Sequence, residues 1–306
     1  MDNKVPVIVG ATATGKTELS LCLAEKLNGE IVSADSRQVY RLMDIGTAKP
    51  SEEELKKIPH HCIDICDPDA YFSAGEFGRA GRKVVSEIQA RGTVPVVVGG
   101  SGLYIQALVD GIFIGNFRDP ELRRKLKKEA ARTGLEKLYE RLLRIDPLYA
   151  DSIHPNDLRR IVRGLEVYTL SGKAISELHD TETKPAEFEA RFFGLSWSRE
   201  VLYQRINERV DRMMKSGFIA EVQSLLEKGY DEKVNSMQSV GYSEIIDYLK
   251  NEFSLDEAVE RIKRNTRRFA KRQITWFKRN QRIHWIEIFE APDWEGLSDS
   301  VIAELG

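Results

Sequence analysis

The chain has 306 residues, of which 42% are hydrophobic and 31% are charged, and its formal net charge is −2. This composition supports a sizeable core beneath an ordinary soluble surface, in one large domain or in a core with an added module. A charge so near zero gives no global attraction to nucleic acid, so any such attraction requires a local basic patch.

Neither the cysteines nor the apolar runs indicate a secreted or membrane protein. Cys22, Cys62 and Cys66 form no secreted disulfide pattern, so we expect three reduced thiols in a cytoplasmic protein. No apolar run approaches the roughly 18 residues of a membrane span. The N-terminal run begins after Lys4 and reaches a glycine within a few residues, which predicts a strand rather than a signal peptide.

The first third of the chain alternates strand and helix signals. Residues 5–9 are a short, fully apolar run, and residues 16–27 have helical spacing that ends at Asn28-Gly29. Residues 30–35 predict a second strand, and a third begins at Thr93 and ends in a glycine turn. This alternation predicts an α/β fold with a parallel sheet flanked by helices.

Residues 115–192 predict a helical insertion. Asp119 is a candidate N-cap followed by Pro120, Gly134 marks a break, and residues 155–170 form an amphipathic stretch that ends before Gly172. The strand signal returns at residues 192–197, and the remainder is mostly helical apart from a short apolar run near the end. We therefore predict a core formed by residues 1–114 and 193–306.

A phosphate-binding motif lies between the first strand and the first helix. Its sequence, GATATGKT, fits G-x-x-x-x-G-K-[ST] in the structural context that the motif requires. Glycines let successive backbone N–H groups point inward, and the helix N-terminus adds positive partial charge. Lys16 supplies a full charge, and the Thr17 hydroxyl can reach a Mg²⁺ ion bridging phosphate oxygens. The predicted phosphate ligands are Gly10, Ala11, Thr12, Ala13, Thr14, Gly15, Lys16 and Thr17.

The motif alone leaves the reaction open. An ATPase of this class needs a carboxylate at the end of a buried strand, but the strand from Val94 ends in glycines and Ser101. The best-placed carboxylate is Asp35, because the carboxyl ends of parallel strands face the ligand crevice. Asp35 is thus a candidate base toward an acceptor, with a turn or cap residue as the alternative. A small-molecule or nucleoside kinase fits the same pattern.

Three basic segments lack matching acidic residues. Residues 261–282 contain ten Lys or Arg and no Asp or Glu. The seven-residue spacing of Ile262, Phe269 and Trp276 predicts an inward stripe. Arg264, Arg268, Lys271 and Arg272 would then form a row suited to a polyphosphate backbone. The other two clusters are Arg159, Arg160 and Arg163, and Arg123, Arg124, Lys125, Lys127 and Lys128. One such run is usually a solvated helix face, but three favour a nucleic-acid partner.

Several longer motifs are more discriminating than the phosphate loop. They include SADSRQVYRLMDIGTAKP at 33–50, VPVVVGGSGLYIQALVDG at 94–111, HPNDLRRIVRGLEVY at 154–168 and KRQITWFKRN at 271–280. With these motifs in this order, the chain resembles the bacterial tRNA dimethylallyltransferases (tRNA isopentenyltransferases) nearly end to end. The chain departs from many members at Ala11 and Thr14, where backbone does the binding, and it lacks the zinc finger of eukaryotic members.

The resemblance implies a P-loop NTPase-like core with an all-helical insertion that grips the anticodon stem. It implies transfer of a dimethylallyl group from dimethylallyl diphosphate to N6 of the adenine 3′ of the anticodon, in tRNAs that decode codons beginning with U. That adenine must be flipped out of the anticodon loop. The implied partners are the tRNA anticodon stem-loop and the diphosphate substrate, with Mg²⁺ as cofactor, no membrane and a monomeric state.

The resemblance also assigns site residues. Asp35 corresponds to the general base, Thr17 lies near Mg²⁺, and Arg209 in RINERV contacts the diphosphate, with Arg205 as the alternative if the register differs. The implied tRNA contacts are Asp35, Ser36, Arg37, Gln38, Ser101, Arg123, Arg159, Arg160, Ile161, Val162, Arg163, Ser239, Val240, Gly241, Tyr242, Ser243 and Glu244.

Overall fold

The structure is a computed structural model that describes residues 3–113, 115, 117–289 and 291–306. The N-terminal part alternates strands and helices, as its sequence predicts. Its elements in chain order are β1 (Lys4–Gly10), α1 (Lys16–Lys26), β2 (Gly29–Ser33), α2 (Glu52–Lys57), β3 (His60–His61), α3 (Ala74–Ala90), β4 (Val94–Gly99) and α4 (Gly102–Val109).

A run of helices follows, and then the chain returns to the sheet. The helices are α5 (Pro120–Thr133), α6 (Leu135–Ile145), α7 (Pro147–Asp151), α8 (Leu158–Ser171) and α9 (Ile175–Glu182). The C-terminal elements are β5 (Glu189–Ser196), α10 (Arg199–Lys215), α11 (Phe218–Glu227), α12 (Tyr242–Leu249), α13 (Leu255–Phe277), β6 (Ile283–Glu287) and α14 (Trp294–Leu305).

Six strands form one fully parallel sheet in the order β3-β2-β4-β1-β5-β6. Successive side chains of β1 point to opposite faces, so Val7 packs in one apolar cluster and Ile8 in another. Both faces are buried, which explains why the strand is a continuous apolar run. The central position of β1 places the loop after it at the middle of the carboxyl edge of the sheet.

The chain forms two compact units, Met1–Val109 with Ala186–Gly306, and Asp110–Pro185. The boundaries fall a few residues before the predicted 115 and 193. The Ala186 N–H bonds to the Val109 carbonyl at 2.7 Å, and β5 begins at Glu189, upstream of its predicted start at Phe192. The all-helical unit has its own core, formed by Leu126, Leu138, Leu142, Ile161 and Leu165 among others.

The predicted inward stripe of α13 is wrong at two of its three positions. Ile262 is buried, but Phe269 and Trp276 are 39% and 37% exposed. The inward residues of the last turns are instead Ala270, Gln273 and Phe277, whose spacing of three and four follows the 3.6-residue period. A seven-residue repeat matches this period only approximately, so it drifts off the buried face. The basic residues Arg264, Arg268, Lys271 and Arg272 are exposed, as predicted.

Two helices that were not predicted carry local start signals. Ser51 before α2 and Ser73 before α3 each form a capping box with the glutamate three residues later. The cysteines are all free thiols, as predicted. Burial raises the pKa of both Cys62 and Cys66 to about 11, which keeps their thiols in the protonated, weakly nucleophilic form. Among the described helices, none is long and apolar enough to cross a membrane.

Candidate active site

The phosphate loop adopts a conformation that depends on glycine at its end. Gly15, the N-cap of α1, has φ 94°, and a Cβ at this position would lie 2.1 Å from the ring of Trp294. Glycine is therefore required by both backbone conformation and space. No side chain in the described part of the chain caps this helix, so the N–H groups of its first turn are available to an anion, whose charge the helix dipole favours.

Two side chains hold the loop from outside. Arg205 Nε donates to the Ala13 carbonyl and Trp197 Nε1 donates to the Thr14 carbonyl, both at 2.9 Å. The Arg205 guanidinium also stacks on the Trp197 ring at 4.5 Å. Because C=O and N–H point in opposite directions across a trans peptide, the N–H groups of Thr14 and Gly15 face away from these braces. The loop thus directs these amides toward the side where phosphate would bind.

Lys16 and Arg209 bring two positive charges together at the loop. The Lys16 ammonium donates to the Ala11 carbonyl at 2.6 Å. Burial, followed by repulsion from Arg209, lowers the pKa of Lys16 from 10.5 to about 8. Burial also lowers the pKa of Arg209, and Asp35 and Glu18 oppose this shift. Among the described residues, Arg209 has no hydrogen-bond or salt-bridge partner within the usual contact distances. An anion bound here would relieve the repulsion between the two cations.

The lowered pKa of Lys16 predicts how anion binding depends on pH. The affinity of the unliganded protein for pyrophosphate should fall as the pH rises through about 8, because the ammonium loses its proton there rather than near 10.5. Calorimetric titration with pyrophosphate between pH 7 and 9.5 measures this dependence. Lys16→Arg should bind without the inflection, since arginine stays protonated throughout. Ionisation of pyrophosphate itself affects both proteins equally, so the same inflection in both would contradict the assignment to Lys16.

Asp35 follows β2 by two residues and faces the same cations. Its Oδ1 accepts the N–H of Arg37 at 2.8 Å and that of Gln38 at 3.4 Å, which forms a tight turn. Asp35 therefore does serve as a turn residue, which was the predicted alternative to a role as base. The turn involves one carboxylate oxygen, however, and the negative charge of Asp35 acts on both Lys16 and Arg209. The carboxylate is thus close enough to the phosphate loop for its charge to act on both cations, and its role as a base stays a prediction.

Ser101 joins the Asp35 turn to the end of β4. Its hydroxyl accepts the Ser36 N–H at 2.9 Å and donates to the Ser36 hydroxyl at 3.0 Å. Arg37 Nη1 donates to the Asn235 carbonyl at 3.3 Å. Gln38 uses its amide internally, accepting from Ser33 and donating to the Ala48 carbonyl. Of the predicted recognition stretch, Ser36 and Arg37 are therefore better placed than Gln38 to contact a substrate with their side chains.

In the helical unit, several of the predicted tRNA contacts have side chains that are buried or paired within the protein. Glu166 is fully buried and binds Arg123 through two hydrogen bonds of 2.7 and 2.8 Å and Arg163 through one of 2.9 Å. These two arginines therefore do have a matching acid, contrary to the sequence interpretation. The side chains of Ile161 and Val162 cannot contact RNA, because they lie in the apolar core of this unit. Arg159 and Arg160 are exposed on α8.

The predicted segment 239–244 is largely internal. Tyr242 is 1% exposed, and its hydroxyl donates to Glu221 at 2.7 Å. Glu244 accepts from the Gly241 N–H and from Asn265, so its carboxylate is also occupied. Gly241 itself has φ 98°, which a side chain would strain. Only Ser239, Val240 and Ser243 of this segment are partly exposed.

Two side chains that organise the site carry no local sequence signal. Glu221 accepts the backbone N–H groups of Asp44, Ile45 and Gly46, and so holds the loop that follows the Asp35 turn. Gln273 lies inside the KRQITWF motif, yet its partners are more than 170 residues away in the chain. Neither partner set can be inferred from helical or strand periodicity, since both depend on how distant segments pack.

The residues at the loop fit a Mg²⁺ ion carried with a diphosphate. Thr17 is exposed in the first turn of α1, next to Lys16, and its hydroxyl is a hard oxygen donor. Within the described part of the chain, no group of three or more His, Cys, Asp or Glu side chains is placed to hold a metal. Mg²⁺ commonly takes one or two protein ligands and completes its shell with phosphate oxygens and water, so a single hydroxyl suffices.

Comparison with known proteins identifies the family. The IPP transferase family matches residues 38–280. The chain is 48% identical to a tRNA dimethylallyltransferase of Pelotomaculum thermopropionicum, over 96% of this chain and 94% of that protein. It is 47% identical to one of Carboxydothermus hydrogenoformans, over 100% and 98% of the two chains.

Comparison with solved structures gives the same family. The full-length tRNA isopentenylpyrophosphate transferase of Bacillus halodurans is similar with a TM-score of 0.73 and 39% identity, over 100% of this chain and 97% of that one. A eukaryotic dimethylallyltransferase acting on tRNA gives a TM-score of 0.81 at 32% identity, over 98% and 78%. The parallel sheet therefore has the P-loop NTPase-like fold of these enzymes, and the chain belongs to the IPP transferase family.

Proposed function

We propose that the chain transfers a dimethylallyl group from dimethylallyl diphosphate to N6 of the adenine 3′ of the anticodon, in tRNAs that decode U-initial codons. The observation that carries the proposal is that the Lys16 ammonium is hydrogen-bonded inside the phosphate loop, and that the charge of Asp35 acts on both Lys16 and Arg209. This electrostatic environment supports the proposal that a base and an anion-binding loop act at one site. The names and near full-length coverage of the relatives support tRNA as the acceptor.

The proposed residues act on the two groups that flank the reacting carbon, the attacking amine and the leaving diphosphate. An exocyclic adenine amine is a weak nucleophile, because its lone pair is delocalised into the ring. Asp35 accepts the N6 proton as the C–N bond forms, while the C–O bond to the diphosphate breaks. The loop amides, Lys16 and Arg209 stabilise the charge that the leaving diphosphate gains. When bound, Mg²⁺ at Thr17 neutralises part of the diphosphate charge.

The RNA must present an unstacked base. Flipping the adenine costs a few kcal/mol, which base and backbone contacts must offset. Ser36, Arg37 and Ser101 lie beside Asp35 and are the proposed base-side contacts. Exposed arginines of the helical unit, such as Arg159 and Arg160, and the exposed basic residues of α13 supply phosphate contacts. We propose that the helical unit binds the anticodon stem and that the enzyme acts as a monomer.

A single-turnover assay tests this function. The protein is incubated with dimethylallyl diphosphate, Mg²⁺ and an anticodon stem-loop RNA whose loop carries three consecutive adenines. Mass spectrometry should detect a gain of one C5H8 unit on the RNA, at the adenine 3′ of the anticodon. A matched RNA with guanine at that position should gain nothing, because guanine has no N6 amine.

An ATP competition experiment separates this function from that of a kinase. Excess ATP should inhibit prenyl transfer only weakly, and ATP should not be consumed in the presence of nucleosides. The proposal would be wrong if the adenine-containing RNA gained no mass, or if ATP turned over with a small hydroxyl compound and without RNA.

A further inference from the structure

Gln273 of α13 bridges the phosphate loop and the segment that carries Ser101. Its Oε1 accepts the Thr12 N–H at 2.9 Å, and its Nε2 donates to the Gly100 carbonyl at 3.0 Å. The side chain is 7% exposed, so these bonds form away from bulk solvent. The position is also closely packed, because a Cβ at Gly100 would lie 2.4 Å from Nε2.

The Thr12 bond fixes one peptide of the loop in a distinct orientation. The Ala11 carbonyl accepts from Lys16 and from the Thr14 hydroxyl, so it points into the loop. Across the same trans peptide the Thr12 N–H must point out of the loop, and there it meets Gln273. This amide is therefore a structural group, unlike the N–H groups of Thr14 and Gly15, which the external braces turn the other way.

The Gly100 bond extends the bridge to the Asp35 turn. Gly100 precedes Ser101, whose N–H bonds to the Ala34 carbonyl at 3.3 Å and whose hydroxyl contacts both the N–H and the hydroxyl of Ser36. A continuous set of hydrogen bonds thus runs from Thr12 through Gln273 to the residue next to Asp35. These bonds connect the phosphate loop to the Asp35 turn, and the proposed reaction requires a fixed distance between the two.

We propose that Gln273 is a positioning residue that fixes the phosphate loop relative to the Asp35 turn for prenyl transfer. This inference rests on the proposed prenyl transfer. Gln273 contacts neither substrate in this role. Its loss should therefore shift the phosphate loop relative to the Asp35 carboxylate, rather than remove a group that binds substrate. Small misplacement costs catalysis more than affinity, because the rate depends steeply on the alignment of reacting atoms.

The first variant is Gln273→Met, which keeps the volume and removes both hydrogen bonds. With both substrates saturating, kcat should fall at least tenfold, and the Kd for pyrophosphate should stay within threefold of wild type. Gln204→Met is the matched control, because Gln204 is an exposed helical glutamine whose one side-chain hydrogen bond within the described part of the chain is to Glu208, and it should match wild type. A kcat for Gln273→Met within twofold of wild type, or a Kd that rises as much as kcat falls, would overturn the proposal.

The second variant, Gln273→Glu, tests the bridge itself even if the methionine variant is unstable. A protonated glutamic acid reproduces the glutamine pattern, since it accepts from Thr12 and donates to Gly100. The ionised form has no donor for the Gly100 carbonyl. The ratio of its kcat to that of wild type should therefore fall at least tenfold as the pH rises and the carboxyl ionises. A ratio that does not change with pH would overturn the proposal.

Hydrogen exchange supplies a readout that does not depend on turnover. The Thr12 amide should exchange faster in Gln273→Met than in wild type and in Gln204→Met, and unchanged exchange would overturn the bridge. Because this measurement needs no RNA or prenyl donor, it separates the two proposals. Wild-type protein that transfers no prenyl group contradicts the proposed function, whereas the exchange result stands independently.

Discussion

Replacing Asp35 by asparagine is expected to lower kcat by a factor of roughly 10² to 10⁴, the usual contribution of a positioned general base. Asparagine retains a side-chain oxygen, so it can accept the Arg37 N–H and keep the turn. It cannot accept the N6 proton of adenine. Single-turnover prenyl transfer, measured with saturating stem-loop RNA and dimethylallyl diphosphate, checks the loss.

Binding measurements distinguish a base from a recognition residue. The RNA Kd of Asp35→Asn should remain within a few-fold of wild type, because the turn that presents Ser36 and Arg37 is preserved. Asp231→Asn is the matched control, since Asp231 Oδ1 makes the same bond to the N–H two residues later, at Lys233, outside the proposed site. If Asp35→Asn lost RNA affinity as strongly as turnover, or retained most of its turnover, Asp35 would not be the base.

Arg209→Gln is expected to lower kcat by about 10² to 10³, the typical cost of removing one group that stabilises developing negative charge. Arg209 faces Lys16 and Asp35 and has no hydrogen-bond or salt-bridge partner of its own among the described residues. Removing its charge also removes a cause of the lowered pKa of Lys16. The pH at which pyrophosphate affinity falls should therefore rise above about 8 in this variant. Rate and calorimetric measurements on the same preparation test both effects.

Arg205→Gln tests the alternative assignment. Arg205 binds the Ala13 carbonyl and stacks on Trp197, so its removal should loosen the loop and lower thermal stability. The pH dependence of pyrophosphate binding should stay centred near 8, since Arg209 remains. An unchanged Lys16 titration in Arg209→Gln, together with a shifted one in Arg205→Gln, would reverse the two roles.

Local patterns of the sequence predicted the fold class and the candidate site. The phosphate loop is specified by its glycines, Lys16 and its place between an apolar strand and a helix, all within one short segment. The position of Asp35 near that loop followed from the rule that parallel strands end at one edge. The α/β core and the helical unit followed in the same way from periodicity, to within a few residues at their boundaries.

Tertiary structure alone decided which side chains are free to act. The sequence could not show that Arg123 and Arg163 share the buried Glu166, or that Gln38 satisfies its amide internally. Nor could it separate Arg205 from Arg209, which lie one helical turn apart on α10. Arg205 donates to the Ala13 carbonyl of the loop, whereas the charge of Arg209 acts on Lys16 and is itself affected by Asp35.

The physical reason is the range of the interactions involved. Helix and strand patterns, caps and the phosphate loop arise from contacts within a few residues, which the sequence displays directly. The charge and hydrogen-bonding state of a side chain depends on its partners in the folded chain. The partners of Gln273 are Thr12 and Gly100, and each lies more than 170 residues from Gln273 along the chain. Only packing brings these groups within hydrogen-bond distance, and it thereby determines which polar groups remain for substrate.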